Sequence, residues 1–188
     1  MLQGDKIELF KEEIIKFNKK HNLISKKNTD KIIDEAIEEV TALTKHLKQY
    51  KNILDIGTGS GLPGIPLAIL NEKKNIYLSE KNNKKNYHLK KTIKLLEIEN
   101  ATTVGSSNKN TKINKKIDCV VTKAFASAKK TIDIANSFLE KPFVLMLLKG
   151  KLETINKEVA EANISKENYE IIKIENEKEK HILKIQNE

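Results

Sequence analysis

The sequence predicts an α/β fold, in which a mostly parallel, seven-stranded sheet has helices on both faces and a helical extension at the N-terminus. Three observations lead to it. Short apolar strands alternate with helical segments from residue 52 onward, a glycine-rich loop follows the first strand, and two alternating apolar–polar segments close the chain. Strand–helix alternation is typical of parallel sheets covered on both faces, and the closing pair suits antiparallel strands.

The first 49 residues are predicted to be helical and to lie outside the sheet. Apolar residues recur at helical spacing over residues 6–17 and again over residues 30–49, which indicates two amphipathic helices. The polar stretch 18–28 between them is predicted to be a loop, with Thr29 or Asp30 capping the second helix. We therefore divide the chain into an extension, residues 1–49, and a main domain, residues 50–188.

The elements of the main domain follow from hydrophobic periodicity and from its glycines and prolines. The strand 52–56 runs into glycines, and the helix 62–70 tolerates Pro63 and Pro66 because prolines are accepted near the first turn. The other predicted strands are 76–79, 101–104, 117–122, 143–148, 169–174 and 181–185, and the other predicted helices are 84–96, 128–139 and 152–162.

Composition excludes several classes of protein. Of the 188 residues, 38% are hydrophobic and 32% are charged, which is typical of a globular domain. No apolar run is long enough to span a membrane, and acidic residues interrupt the N-terminus where a signal peptide needs an apolar stretch. The single Cys119 allows neither an internal disulfide nor a cysteine cluster. We therefore expect a cytoplasmic monomer with no membrane segment, no metal site and Cys119 in its core.

The positive charge is concentrated in the middle of the chain. The net charge is +9 and every basic residue other than histidine is lysine, and residues 81–130 hold 13 lysines against three acidic residues. A surface with that bias attracts polyanions. A solvated lysine-rich helix without a partner gives the same pattern, so charge alone leaves both interpretations open.

The glycine-rich loop predicts a ligand. Residues 54–64 read LDIGTGSGLPG and lie between a predicted strand and a predicted helix, as nucleotide-binding loops do. Three of the glycines spell the dinucleotide pattern G-x-G-x-x-G, with Glu80 about 20 residues further on. The longer pattern D-x-G-x-G-x-G, which begins at Asp55, is typical of S-adenosylmethionine sites. This pattern and the closing strand pair favour S-adenosylmethionine, and an NAD-type oxidoreductase is the alternative.

Four segments of the chain resemble the glucose-inhibited division protein B family, the guanine-N7 methyltransferases of small-subunit ribosomal RNA. They are FNKKHNLIS at 17–25, DIGTGSGLPGIPLAI at 55–69, KAFAS at 123–127 and LKGK at 148–151. The resemblance covers residues 9–188. It implies a Rossmann-like class I methyltransferase that uses S-adenosylmethionine to methylate N7 of a guanine in 16S ribosomal RNA.

The resemblance also implies the cofactor contacts. They fall in the glycine loop and after the third and fourth strands, at Gly57, Leu62, Asn108, Lys109 and Lys123. Two of these depart from the family pattern, because the family has Arg in place of Lys123 and an acidic residue in place of Lys109. By their position at strand ends, where open sheets bind ligands, we add Gly59, Gly61 and Glu80.

The implied chemistry needs no general base. Guanine N7 carries a free lone pair and no proton, so methyl transfer depends on alignment. We therefore name no catalytic residue and expect the four histidines to be surface residues. The lysines after the second and third strands are predicted to follow RNA phosphates, and Phe125 either stacks on an unstacked guanine or packs in the core. An RNA-binding module without catalysis is the second alternative.

Overall fold

The computed structural model describes residues 1–21, 28–108, 110–175 and 179–188. The elements in chain order are α1 (Gln3–His21), α2 (Thr29–Thr44), β1 (Asn52–Ile56), α3 (Gly64–Leu70), β2 (Asn75–Ser79), α4 (Asn83–Leu95), β3 (Ala101–Gly105), β4 (Cys119–Lys123), α5 (Ala128–Asn136), β5 (Phe143–Lys149), α6 (Leu152–Glu161), a 3-10 turn (Lys166–Asn168), β6 (Tyr169–Lys173) and β7 (His181–Asn187).

The seven strands form one sheet in the order β3-β2-β1-β4-β5-β7-β6. Neighbouring strands pair in parallel from β3 to β5, whereas β7 runs antiparallel to both β5 and β6. This confirms the predicted fold class, including the closing antiparallel pair. The strand order reverses at β1, which lies between β2 and β4, and such a switch point opens a crevice at the carboxyl ends of the strands.

Most predicted boundaries agree with the structure to within two residues, and those of α1, α2 and α5 do not. Helix α2 ends at Thr44 and α5 at Asn136, each earlier than predicted. Apolar residues continue beyond α2, and Leu47 is fully buried although it lies after the end of the helix. The apolar pattern is therefore longer than the helix. Helix α3 begins at Gly64 because Pro63 occupies its N-cap position.

The prediction of a loop over residues 18–28 was wrong at its beginning, because α1 continues to His21. Asn18 is buried in this last turn and donates to the Thr29 hydroxyl at 3.4 Å. Neither Thr29 nor Asp30 caps α2, since the residue before the helix is Asn28, in left-handed conformation at φ 60° and without a side-chain capping bond. Residues 22–27 of the predicted loop lie outside the described residues.

Two apolar cores cover the two faces of the sheet. On one face, Phe10, Ile33 and Leu43 of α1 and α2 share a cluster with residues of α3, α4 and the strands. On the other face, residues of α5 and α6 pack against the strands. Cys119 is fully buried, as predicted. None of the helices in the described ranges is both long and apolar enough to cross a membrane.

Candidate active site

The glycine loop leaves the end of β1 in a backbone conformation that favours glycine. Gly57, Gly59 and Gly61 all have positive φ, at 73°, 58° and 98°. The amide groups of Gly57 and Thr58 donate to the Ser79 carbonyl oxygen at 2.9 and 3.1 Å, which ties the loop to the end of β2. A Cβ atom on Gly57 would collide with the ring of Phe125. The loop therefore turns tightly beneath an aromatic wall, at the carboxyl edge of the sheet.

Glu80 follows β2 and faces this loop. Its carboxylate accepts from the Gly59 amide at 3.2 Å and from the Asn82 amide at 2.7 Å, and the residue is 9% exposed. A carboxylate has about four acceptor positions. Two of them hold the backbone, and the other two can accept hydrogen bonds from the hydroxyl groups of a ligand.

Asp55 lies close to the same loop, but it is buried and contacts the protein backbone instead of the cavity. Its carboxylate is fully buried and accepts from the Gly64 amide at 2.9 Å, which fixes the start of α3. Burial raises the pKa of Asp55 to about 7, hydrogen bonds from Thr58 and Gly64 lower it, and the Glu80 charge raises it. Asp55 therefore holds the loop from inside the protein.

A cavity of about 600 Å³, which we call the glycine-loop cavity, opens beside these residues. Four of the predicted contacts line it, namely Gly57, Gly59, Glu80 and Asn108. The segment after β3 also contributes, because the Ser107 hydroxyl lies 2.5 Å from the Ser79 hydroxyl and holds that segment against β2. Phe125 closes the cavity at the end of β4.

Of the other predicted contacts, Gly61, Leu62 and Lys123 do not line this cavity. A Cβ on Gly61 would lie 2.7 Å from Ile65 and 3.3 Å from Phe10, so that glycine faces the core. Leu62 is buried, and its amide closes the turn by donating to the Thr58 carbonyl at 3.1 Å. Lys109 lies outside the described residues. Lys123 does not line the glycine-loop cavity; it belongs to a neighbouring one.

That neighbouring space, the charged cavity, has a volume of about 420 Å³ at the carboxyl ends of β4 and β5. Phe125 and Ala126 line both cavities, so the two cavities adjoin at these residues. Five charged residues line the charged cavity: Glu39, Lys123, Lys149, Glu158 and Lys180. The charged cavity therefore offers both hydrogen-bond donors and acceptors, and it lies next to the glycine-loop cavity.

The charges in this second cavity are arranged as two clusters. Lys149 pairs with Glu158 at 2.7 Å and donates to the Ala126 carbonyl at 2.9 Å. Glu39 pairs with Lys123 at 2.5 Å and with Lys180 at 2.7 Å. Burial lowers the pKa of Lys123, the Glu39 carboxylate offsets part of that lowering, and the Lys180 charge adds to it.

Sequence reasoning missed most of the charged cavity. Glu39 could have been recognised from the sequence as a special position, because it is an acidic residue on the apolar face of α2. The other buried residues of that helix are Ile33, Ala36, Val40 and Leu43. A carboxylate on an apolar helix face needs a buried partner. The sequence does not say which lysine supplies it.

The expectation that all four histidines lie on the surface was wrong for two of them. His88 is buried and stacks on Phe17, with ring centroids 4.1 Å apart. His181 is buried, and its Nδ1 lies 2.7 Å from the Gly150 carbonyl oxygen. Neither lines either of the two cavities. Among the residues that the structure describes, no three acidic, histidine or cysteine side chains are grouped as metal ligands.

Comparisons with known proteins agree with this geometry. A family model described as GidB, rRNA small subunit methyltransferase G, matches residues 3–183. A ribosomal RNA small subunit methyltransferase G of Brachyspira hyodysenteriae is 35% identical over 182 residues, which cover 95% of this chain and 88% of that protein. Another from Photobacterium profundum is 33% identical over 150 residues, 80% of this chain and 71% of that protein.

Solved structures show the same fold at low sequence identity. The S-adenosylmethionine-dependent methyltransferase SibL aligns with a TM-score of 0.65 at 10% identity, over 80% of this chain and 54% of that one. A SAM-dependent methyltransferase from Aquifex aeolicus aligns with a TM-score of 0.57 at 13% identity, over 80% of this chain and 89% of that one.

Proposed function

The chain belongs to the rRNA small subunit methyltransferase G family, and we propose from that membership that it transfers the methyl group of S-adenosylmethionine to N7 of a guanine in 16S ribosomal RNA. The observation that carries the proposal is the pair of cavities on either side of Phe125 and Ala126. One suits a nucleoside cofactor and the other a nucleobase. The NAD-type oxidoreductase, which the glycine pattern also allows, gains no support from these likenesses.

The glycine-loop cavity fits S-adenosylmethionine in size and in chemistry. Its volume of about 600 Å³ falls within the roughly 300–1,000 Å³ usual for small-molecule sites. Glu80 has acceptor positions left for ribose hydroxyls, and Gly57 and Gly59 let the backbone approach the ligand closely. We propose that these residues and Asn108 hold the cofactor, while Gly61 and Leu62 shape the loop from the core side. Lys109 stays a predicted contact.

We place the acceptor guanine in the charged cavity, against Phe125. Bound in the neighbouring cavity, S-adenosylmethionine supplies a methyl group whose C–S bond breaks as the new C–N7 bond forms, leaving a neutral thioether and a positive charge on guanine. No proton has to leave N7, so no side chain acts as a base. The protein contributes alignment, which is worth about 7–11 kcal/mol when reacting atoms are held in line.

In this arrangement Lys123 acts on the acceptor side. Its ammonium group is directed to Glu39 in the charged cavity, and two of its three donor hydrogens remain for an acceptor atom of the base or of a phosphate. We propose that charge is what this position supplies, in place of the family's Arg.

The RNA is proposed to approach over the carboxyl edge of the sheet. Lys81, Lys84 and Lys129 are exposed on the segments that follow β2 and β4. Lys81 lines the glycine-loop cavity together with Lys85 and Lys130. Guanine N7 in an A-form duplex lies in a deep, narrow groove, so the target guanine belongs to a loop or to an unstacked position. We propose that the protein acts as a monomer, in the cytoplasm, where ribosomal subunits assemble.

The test uses the whole chain with in-vitro transcribed 16S ribosomal RNA and with small subunits that lack the modification. Calorimetry with S-adenosylhomocysteine measures cofactor binding, and mass spectrometry of digested RNA identifies the methylated nucleoside. We expect cofactor heat and 7-methylguanosine at one position. Heat with NAD and none with S-adenosylhomocysteine would indicate the oxidoreductase, and RNA binding without cofactor heat would indicate a binding module.

A further inference from the structure

Glu39 joins three distant parts of the chain at the charged cavity. It belongs to α2 in the N-terminal extension, and its side chain is 3% exposed. One carboxylate oxygen lies 2.5 Å from Lys123 Nζ at the end of β4, and the other lies 2.7 Å from Lys180 Nζ just before β7. The two lysines keep 18% and 25% of their side chains exposed, so they face the cavity while Glu39 stands behind them.

The charge of the cavity depends on this one carboxylate. Lys149 and Glu158 neutralise each other at 2.7 Å. The remaining cluster holds two ammonium groups and one carboxylate. If Glu39 were neutral, Lys123 and Lys180 would stand side by side without compensation, and like charges at short range in a partly buried site repel strongly.

The proposed reaction moves positive charge toward these lysines. The cofactor's positive charge is lost from sulfur as guanine gains it, so the step is favoured by negative charge near the base and opposed by uncompensated positive charge. The lysines still serve the binding step, because their positive charge attracts the RNA. Because Glu39 offsets the charge of these lysines, they do not oppose the positive charge that guanine gains in the reaction.

We propose that Glu39 is a positioning residue for methyl transfer, which fixes Lys123 and Lys180 at the acceptor cavity and offsets their charge as the guanine becomes positive. This inference rests on the proposed function. It makes the N-terminal extension part of the acceptor site, since α2 supplies the carboxylate that the strands of the main domain lack at this point.

The experiment is Glu39→Gln, which keeps the shape of the side chain and removes its charge. We expect the single-turnover rate constant at saturating RNA and cofactor to fall about ten-fold or more. The KM for 16S ribosomal RNA is expected to stay equal or to decrease, because the variant is more positive. Affinity for S-adenosylhomocysteine is expected to stay unchanged. If the role of Glu39 were only structural, the rate constant and the affinity for S-adenosylhomocysteine would decrease together, and the KM for RNA would increase.

Glu38→Gln is the matched control, because it removes the same charge from an exposed neighbour on α2 and should leave all three quantities at wild-type values. Glu39→Asp should recover most of the rate constant. The inference is overturned if Glu39→Gln transfers methyl at the wild-type rate, if Glu39→Asp is as slow as the Gln variant, or if rate, RNA affinity and cofactor affinity fall in parallel. A wild-type chain that methylates no RNA would instead overturn the proposed function.

If Glu39→Gln does not fold, Lys180→Gln tests the same charge argument in the opposite direction. It leaves a neutral Lys123–Glu39 pair, so the KM for RNA should rise while the rate constant at saturation does not fall. A decrease of more than about three-fold in that rate constant would contradict the charge argument, since three-fold corresponds to less than about 1 kcal/mol.

Discussion

At the scale of single residues, Gly59 is the loop glycine where an added side chain would enter the glycine-loop cavity without colliding with the protein. Its φ is 58°, and a Cβ there would contact only the Gly57 carbonyl oxygen, at 3.8 Å, while the residue lines the glycine-loop cavity. We predict that Gly59→Ala weakens binding of S-adenosylhomocysteine about ten-fold or more, because the added methyl group stands in space proposed for the cofactor. Isothermal titration measures this change.

Gly105 provides the matched comparison. Its φ is 75°, and no atom lies within 4 Å of an added Cβ, yet it does not line the glycine-loop cavity. Gly105→Ala should therefore destabilise the protein by about 1–2 kcal/mol, as Gly59→Ala should, because each introduces a side chain at positive φ. It should leave cofactor affinity unchanged. Equally weakened affinity in both variants would show that backbone strain, and not the ligand's space, is responsible.

Asp55 gives the protein a pH-dependent contribution to stability. Burial raises its pKa from 3.8 to about 7, so the folded state holds the proton more tightly than the unfolded state does. The stability contributed by the neutral acid is therefore fully present below about pH 4 and is lost as pH rises to about 7. The shift corresponds to at most about 4 kcal/mol.

We predict that Asp55→Asn, which cannot ionise, removes this dependence. The free energy of unfolding of the wild type, relative to the Asn variant, should decrease between pH 4 and pH 7.5. Urea unfolding at several pH values measures the difference between the two proteins, so that other titrating groups cancel. A difference that is constant over this range would show that folding does not raise the pKa of Asp55.

At the scale of elements, α1 supports the cofactor loop from behind. Phe10 is fully buried, and its ring lies 3.3 Å from the position of a Cβ on Gly61. We predict that Phe10→Ala costs about 3–5 kcal/mol of stability and also weakens S-adenosylhomocysteine binding, because the loop loses its support. Chemical unfolding and calorimetry measure the two effects.

Leu47, which follows α2, is the control for Phe10. It is equally buried, but its carbonyl accepts from Lys74 at the amino end of the sheet, away from the loop. Leu47→Ala should cost about 2–5 kcal/mol and leave cofactor affinity unchanged where the protein is folded. If both variants weaken binding equally, general loss of stability, and not support of the loop, explains the effect.

At the scale of the whole molecule, lysines stand at both edges of the sheet, so total charge does not say where RNA binds. Lys81, Lys84 and Lys129 are exposed after β2 and β4, whereas Lys48, Lys51 and Lys73 are exposed before β1 and β2. We predict that changing the first three to Gln reduces the salt dependence of RNA binding. The slope of log affinity against log salt should fall by about 0.7–0.9 for each phosphate group that these lysines no longer neutralise.

Changing the second three lysines to Gln removes the same charge from the amino edge and should leave the slope unchanged. Binding of 16S ribosomal RNA at several salt concentrations measures both variants. Equal reductions in the two triple variants would show that the molecule attracts RNA by its net charge and presents no preferred edge.

The sequence by itself determined the sheet, its closing antiparallel pair and the glycine loop. These depend on period-two and helical patterns and on glycine, all of which act within a few residues along the chain. The sequence also predicted Glu80 at the cofactor loop, because it stands at a predicted strand end; the structure places it beside Gly59 and in the lining of the glycine-loop cavity. The same reasoning missed where α2 ends, since Leu47 is buried and continues the apolar pattern beyond the last helical residue.

Only the tertiary structure decided which side chains meet. Gly57 and Gly61 belong to the same short loop, yet Gly61 faces the core while Gly57 lines a cavity. Glu39 and Lys123 are 84 residues apart and meet at 2.5 Å. The physical reason is that a buried carboxylate needs a cation as partner, but that cation can come from any part of the sequence. The packing of α2 against the sheet decides that Lys123 is such a partner.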